Sequence, residues 1–210
     1  VSNIEKAGLT YPNRGARALL LGLEDLLGKH GLEALLKQVG LEEWTDKSPP
    51  DNLDREIDFT QLTALNQGLL EFYGQRSGSG LARQANRSKF EEAWGDFSEL
   101  ARLRQEDFSA LPLEERMKIG GETLGRVFNE ISDLGLRITT VGNSVAFEFE
   151  NCPYCLQVTS ELPLCGASAG WIEGFLRLIK AGRQVTVLES SCSAAGAPHC
   201  IFTLKHVEGE

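Results

Sequence analysis

No apolar run in the chain approaches the roughly 20 residues that cross a bilayer. No charged-then-apolar leader opens it. A transmembrane segment and a secretory signal are therefore both unexpected. Basic residues are outnumbered, 21 Lys and Arg against 30 Asp and Glu, giving a net charge of −9. They are also scattered, so a nucleic-acid groove or an anionic membrane surface is not expected as a partner. The chain lacks a Gly-rich phosphate loop ending in Lys-Ser/Thr, a dinucleotide fingerprint and a Ser-His-Asp context. No segment is suited to hold NADPH or a flavin, and no catalytic residues are assigned. The five cysteines are an odd number, which argues against a complete disulfide framework. Without an export signal they point to reduced thiols, a cytoplasmic setting and metal binding.

Most of what is present in the first half is helical. Leu19, Leu20, Leu23, Leu26 and Leu27 recur at three- and four-residue intervals up to Gly28, and a shorter helix runs from Leu32 to Val39. This leucine-rich stretch exceeds what one helix face needs, so a homodimer is expected. Ser48-Pro-Pro-Asp-Asn52 is the clearest loop signal. Asp58 is placed to cap a helix carrying Leu62, Leu65, Leu69, Leu70 and Phe72, with Gly74 as its stop. Ser77-Gly-Ser-Gly80 reads as a tight inter-helix turn where backbones approach closely, followed by a helix with Phe90, Trp94 and Phe97. Pro112 opens a further helix that ends near Gly135.

The period then changes from helical to alternating. Leu136, Ile138 and Thr140, a Gly142-Asn143 turn, then Val145, Phe147 and Phe149 make a β-hairpin. A helix from about Ala167 to Lys180 and strands over Gln184–Ser190 and His199–Lys205 complete the pattern. On those strands Val185, Val187 and Glu189 share one face, and Cys200, Phe202 and Leu204 share another. Glu189 and Cys200 thus sit in apolar company, and a buried carboxylate needs a partner such as a metal.

Cys165, Glu189, Cys192 and Cys200 are four zinc-compatible donors, and a closed four-ligand site is structural rather than catalytic. Cys152 and Cys155 form a CxxC, compatible with half a zinc site, a redox pair or a plain turn. They are secondary metal candidates, and Cys155 competes with Cys165 for the first ligand position. His199 is expected on the opposite strand face from Cys200, toward solvent.

The segment Cys152-Pro-x-Cys155, Cys165, Gly170, Glu189-x-x-Cys192, Gly196 and Cys200-x-Phe202 resembles the 4-vinyl reductase domain. Asn13-Arg14, Gly22-Leu-Glu24, Gly28 and Gly40-Leu41 resemble the helical leader of its stand-alone bacterial members. Related domains are the ligand-binding domains of phenol sensors and the small subunits of the TRAPP vesicle-tethering complex. The resemblance implies an α+β fold, with a helical N-terminal half packed on a four-stranded antiparallel sheet. Residues 1–52 would be a helical extension joining the dimer interface, and 53–210 the ligand-binding domain. It further implies zinc on Cys165, Glu189, Cys192 and Cys200, and an apolar pocket. Phe90, Trp94, Phe128 and Phe147 are the candidate ligand-binding residues.

The function so implied is non-enzymatic binding of a small hydrophobic ligand, a tetrapyrrole or chlorophyll precursor being the family's association. That would link the chain to protein partners in pigment handling or photosystem assembly. Two alternatives stand beside it. One is a subunit of a chlorophyllide 4-vinyl reductase system whose reductant sits on a partner. The other is a protein-interaction subunit without ligand. No ATPase or DNA-binding domain is recognised, so a complete transcription activator is not expected.

Overall fold

The computed structural model describes residues 6–141, 144–182 and 184–206. Strand β1 (Thr10–Tyr11) leads into α1 (Asn13–Gln38), α2 (Glu43–Asp46) and β2 (Ile57–Asp58), the two strands pairing antiparallel. Helix α3 (Phe59–Trp94) follows, then a 3₁₀ turn (Ser98–Arg104), α4 (Glu106–Ser109) and α5 (Leu113–Ile131). The C-terminal part is β3 (Leu136–Val141), β4 (Ser144–Phe149), α6 (Gly166–Leu178), β5 (Val185–Ser191) and β6 (Cys200–His206). Strands β3 to β6 form one antiparallel sheet in the order β3-β4-β6-β5. The α+β architecture expected from the periodicity is the one observed. The hairpin residues Gly142 and Asn143 lie outside the described residues.

Asp58 caps α3 as its sequence position suggests. Its carboxylate accepts from the Thr60 N–H at 3.0 Å, while the Gln61 side chain accepts the Asp58 N–H at 3.0 Å. Two helical breaks are set by glycine: Gly28 in α1 (φ 69°) and Gly74 in α3 (φ 78°) take left-handed backbone that other residues resist. The turn expected at Ser77–Gly80 therefore falls at Gly74 instead, and Ser77–Gly80 is helical. The close approach expected there is real, because a Cβ on Gly78 would overlap the Leu69 carbonyl.

The surplus of leucines in α1 is used within the chain. Leu19, Leu20, Leu23, Leu32, Leu35 and Leu36 are buried in the same core as α3 and the sheet. Gly22 lets α1 approach Ala85, and Gly68 accommodates Leu35 and Val39. Exposed large apolar side chains on these helices are Leu26 (39%), Phe72 (51%) and Tyr73 (41%).

Helix α6 lies directly on the second half of α3. Gly166, Gly170 and Gly174 recur every four residues, so they form one stripe along the helix. A Cβ on them would overlap Ser79, the Arg83 carbonyl and Phe90 respectively. Little more than backbone therefore separates the two helices along this seam. Arg116 closes the far end of α6: buried, it donates to the Ile179 and Lys180 carbonyls at 2.9 Å each. This answers carbonyls that a helix C-terminus leaves without partners.

A candidate metal centre beside an aromatic cluster

All five thiols are buried, free and gathered at one end of α6. Three elements bring them there. Cys165 occupies the N-cap position of α6. Glu189 and Cys192 come from the end of β5, where a bulge between Glu189 and Ser191 shifts the register. Cys200 opens β6 and pairs with Phe149. The CxxC loop is pinned by α3 from across the sequence: Asn66 donates to the Tyr154 and Leu164 carbonyls at 2.9 and 3.1 Å. The Thr63 hydroxyl donates to the Pro153 carbonyl at 2.8 Å and accepts the Leu156 N–H at 3.2 Å.

Two donor quartets result, Cys165-Glu189-Cys192-Cys200 and Cys152-Cys155-Cys165-Cys200, each with its ligand atoms within 4.8 Å of one another. The first is the set expected from sequence. The second contains both secondary candidates, so the CxxC is not merely a flanking turn. Cys165 Sγ lies 3.8 Å from both Cys192 Sγ and Cys200 Sγ. Thiolates about 2.3 Å from a tetrahedral zinc lie about 3.8 Å apart, so the donor chemistry and the spacing both fit a bound ion. Cys152 Sγ to Cys165 Sγ and Cys155 Sγ to Cys200 Sγ are each 3.4 Å.

The electrostatics are those of donors awaiting a cation. Burial, reinforced by the Cys192 thiolate, pushes Glu189 up to about 8. Hydrogen bonds from the Cys155 and Cys165 thiols bring Cys192 down to about 6. Cys200, ringed by the other four thiols, is held far below the usual thiol range, and Cys155 is pushed far above it by Cys152. Protons thus sit unequally on a crowded set, and a metal ion would replace them. The Ser193 N–H donates to Cys200 Sγ at 3.3 Å, a further layer of support.

Phe90, Trp94, Phe128 and Phe147 are all buried, and they pack on other rings. Trp94 meets Phe128 at 4.8 Å between ring centroids, and Phe147 meets Phe175 at 6.0 Å. The centre of the cluster is Trp171, 4.6 Å from Phe128, 5.4 Å from Phe90 and 6.0 Å from Phe149. On sequence grounds Trp171 reads as plain core. Its Nε1 is buried and completes no hydrogen bond. Burial pushes the Tyr11 hydroxyl well up and Tyr154 adds to this, while the nearby Trp171 indole N–H pulls slightly the other way. Burial likewise pushes Tyr154 up, while Asn86 donates to its hydroxyl at 2.8 Å. A signal for Trp171 exists in the sequence: it stands six residues after Cys165, among Gly and Ala on one helix.

Among the histidines, His30 is 97% exposed and beside Glu33, and His199 lies 3.7 Å from Glu148 on the sheet. Neither belongs to the thiol cluster or to the ring cluster.

Residues 145–206 match the model of the 4-vinyl reductase domain, the family that the cysteine–glutamate spacing resembles. The matched segment contains all six donors. Among solved structures, the phenol-responsive sensory domain of the transcription activator PoxR, bound to phenol, is similar at a TM-score of 0.52 and 19% identity. The match covers 73% of this chain and 77% of that one. An H-NOX protein from S. oneidensis in the Fe(II)NO ligation state matches at 0.52 and 13% identity, covering 91% of this chain and 99% of that one. A structure from work on heme distortion in the H-NOX family matches at 0.58 and 18% identity, over 93% and 95%. A sequence search of curated proteins finds no match. At these identities the likenesses establish a shared fold.

Proposed function

We propose that the chain is a non-catalytic binding module for a compact hydrophobic molecule, held by the Trp171-centred rings and stapled by zinc on Cys165, Glu189, Cys192 and Cys200. The observation that carries this reading is the Trp171 indole N–H, a donor without an acceptor inside an aromatic cluster. Buried donors are nearly always satisfied, so an unsatisfied one marks a place where a ligand's acceptor belongs. Apolar walls with one or two polar groups are the ordinary makeup of a ligand pocket. Phe90, Trp94, Phe128 and Phe147 form walls, and the Tyr11 and Tyr154 hydroxyls add polar groups to the buried interior.

Because every ring already touches another, a single aromatic ring with one acceptor, such as a phenol, displaces less than a tetrapyrrole. The phenol-bound sensory domain shares the fold and supports the smaller ligand. The tetrapyrrole reading, with its extension to pigment handling or photosystem assembly, is the larger-ligand form of the same proposal. It has no imidazole from His30 or His199 to draw on. The homodimer reading now rests on Leu26, Phe72 and Tyr73 rather than on the leucine stripe, which is spent on the chain's own core. A cytoplasmic setting suits five reduced thiols.

Titration of the purified chain with phenol, a medium-chain fatty acid and protoporphyrin, read by tryptophan fluorescence, tests the reading. Phenol binding weakened by roughly 2- to 12-fold in Trp171→Phe, the worth of one hydrogen bond, is expected. Absence of binding by all three would leave the interaction-subunit reading ahead.

A further inference from the structure

The thiol cluster holds more donors than one ion can use. A tetrahedral site takes four ligands, yet five thiols and one carboxylate converge here. The six do not form one mutually close set. They divide into two quartets that share Cys165 and Cys200.

We infer that the cluster is a binuclear centre: two divalent, thiolate-preferring ions in edge-sharing tetrahedra, bridged by Cys165 and Cys200. Cys152 and Cys155 are the terminal ligands of one ion; Glu189 and Cys192 are those of the other. This rests on the single-zinc reading above and adds a second position to it.

Four points support the assignment. Two tetrahedra joined along an edge need six ligands, two of them bridging, and six are present. Both shared donors are thiols, whose sulfur carries enough lone pairs to bind two ions at once. The shared pair is separated by 3.8 Å, the edge expected for a zinc–thiolate tetrahedron. Charge agrees as well. Fully ionised, the six donors carry six negative charges, and one divalent ion offsets two of them. Two ions offset four, which suits a buried site better, since unpaired buried charge is costly.

The CxxC side is also built rather than incidental. Asn66 and Thr63, both buried on α3, fasten the backbone of Pro153, Tyr154, Leu156 and Leu164 around the two outer thiols. A loop that only crossed the surface would not need this scaffold. No electron transfer is involved: each thiol gives up its proton to solvent as the metal–sulfur bond forms.

The test is metal stoichiometry of the full chain, by native mass spectrometry after anaerobic titration with Zn(II), and by Co(II) absorption and paramagnetic resonance. Two ions per chain are expected. The second Co(II) should quench the resonance of the first through the shared sulfurs. Cys152→Ser/Cys155→Ser and Glu189→Gln/Cys192→Ser should each retain one ion, with folding checked by circular dichroism. The wild-type count does not depend on either variant. Saturation at one ion, unchanged in Cys152→Ser/Cys155→Ser, would overturn the binuclear centre and leave the single-zinc reading standing. No bound ion would overturn both. Iron with acid-labile sulfide would also overturn it, because sulfide rather than Cys165 and Cys200 would then form the bridges.

Discussion

Glu189 reaches across 24 positions of sequence to accept the backbone N–H of Cys165 at 3.0 Å. One carboxylate thus ties the end of β5 to the first turn of α6 while remaining a metal-ligand candidate. Since the helix N-terminus favours negative charge there, the same group serves the helix dipole and the cation.

Removing the metal should therefore loosen the whole C-terminal half. At a free ion concentration about a thousandfold above its Kd, binding adds ~4 kcal/mol of stability. For a chain of this size that corresponds to a fall in Tm of roughly 8–16 °C on chelation. Differential scanning calorimetry with and without chelator checks it. Cys192→Ser should lower metal content and mimic much of that fall; an unchanged content would count against Cys192 as a ligand.

Asp58→Ala should cost about 0.5–2 kcal/mol, the usual worth of an N-cap. Burial alone would raise the Asp58 pKa, but hydrogen bonds from Thr60, Gly8 and Ala7 outweigh it and the pKa is lowered. A lowered folded-state pKa gives stability that is present above the unfolded value of about 3.9 and lost as pH falls through the folded one. Urea titrations at pH 6 and pH 3 should show the wild type losing this contribution and Asp58→Asn losing less.

Two glycine substitutions should move stability in opposite directions. Gly170→Ala places a methyl group onto the Arg83 carbonyl and should cost at least about 1–3 kcal/mol. Gly80→Ala meets nothing within 4 Å in a helix interior and should gain about 0.5–1 kcal/mol. Chemical denaturation of both variants decides the point.

Arg116→Met should destabilise by about 1.5–3 kcal/mol, because the carbonyls of Ile179 and Lys180 lose a charged donor. Arg116→Lys should recover only part of this, since one ammonium cannot reproduce the guanidinium fork. Equilibrium unfolding of the pair measures the difference.

Legibility in the sequence follows the strength of local signals. The four strands are readable because positions such as Leu136, Ile138, Phe147 and Phe149 alternate with polar neighbours. Asp58 is readable as a cap because the helix it opens is strongly periodic. Gly74 reads correctly as a helix stop, whereas Ser77–Gly80 reads as a turn and is helix. Glycine's low helix propensity gives both the same local appearance, and only packing against Leu69 separates them. The quartet with Glu189 is legible from its spacing. The convergence of Cys152 and Cys155 on Cys165 and Cys200 is not, because Asn66 and Thr63, far away on α3, set that loop. Trp171 passes as core since nothing local tells that its N–H has no acceptor.

The stripe of Gly166, Gly170 and Gly174 leaves no side chains of α6 between it and α3 to absorb a displacement. A shift of Cys165, as the cluster gains or loses an ion, is consequently passed along α6 as through a stiff rod. Trp171 and Phe175 ride on that rod. The seam couples the thiol end mechanically to the aromatic end, so occupancy of one is transmitted as a change in the shape of the other.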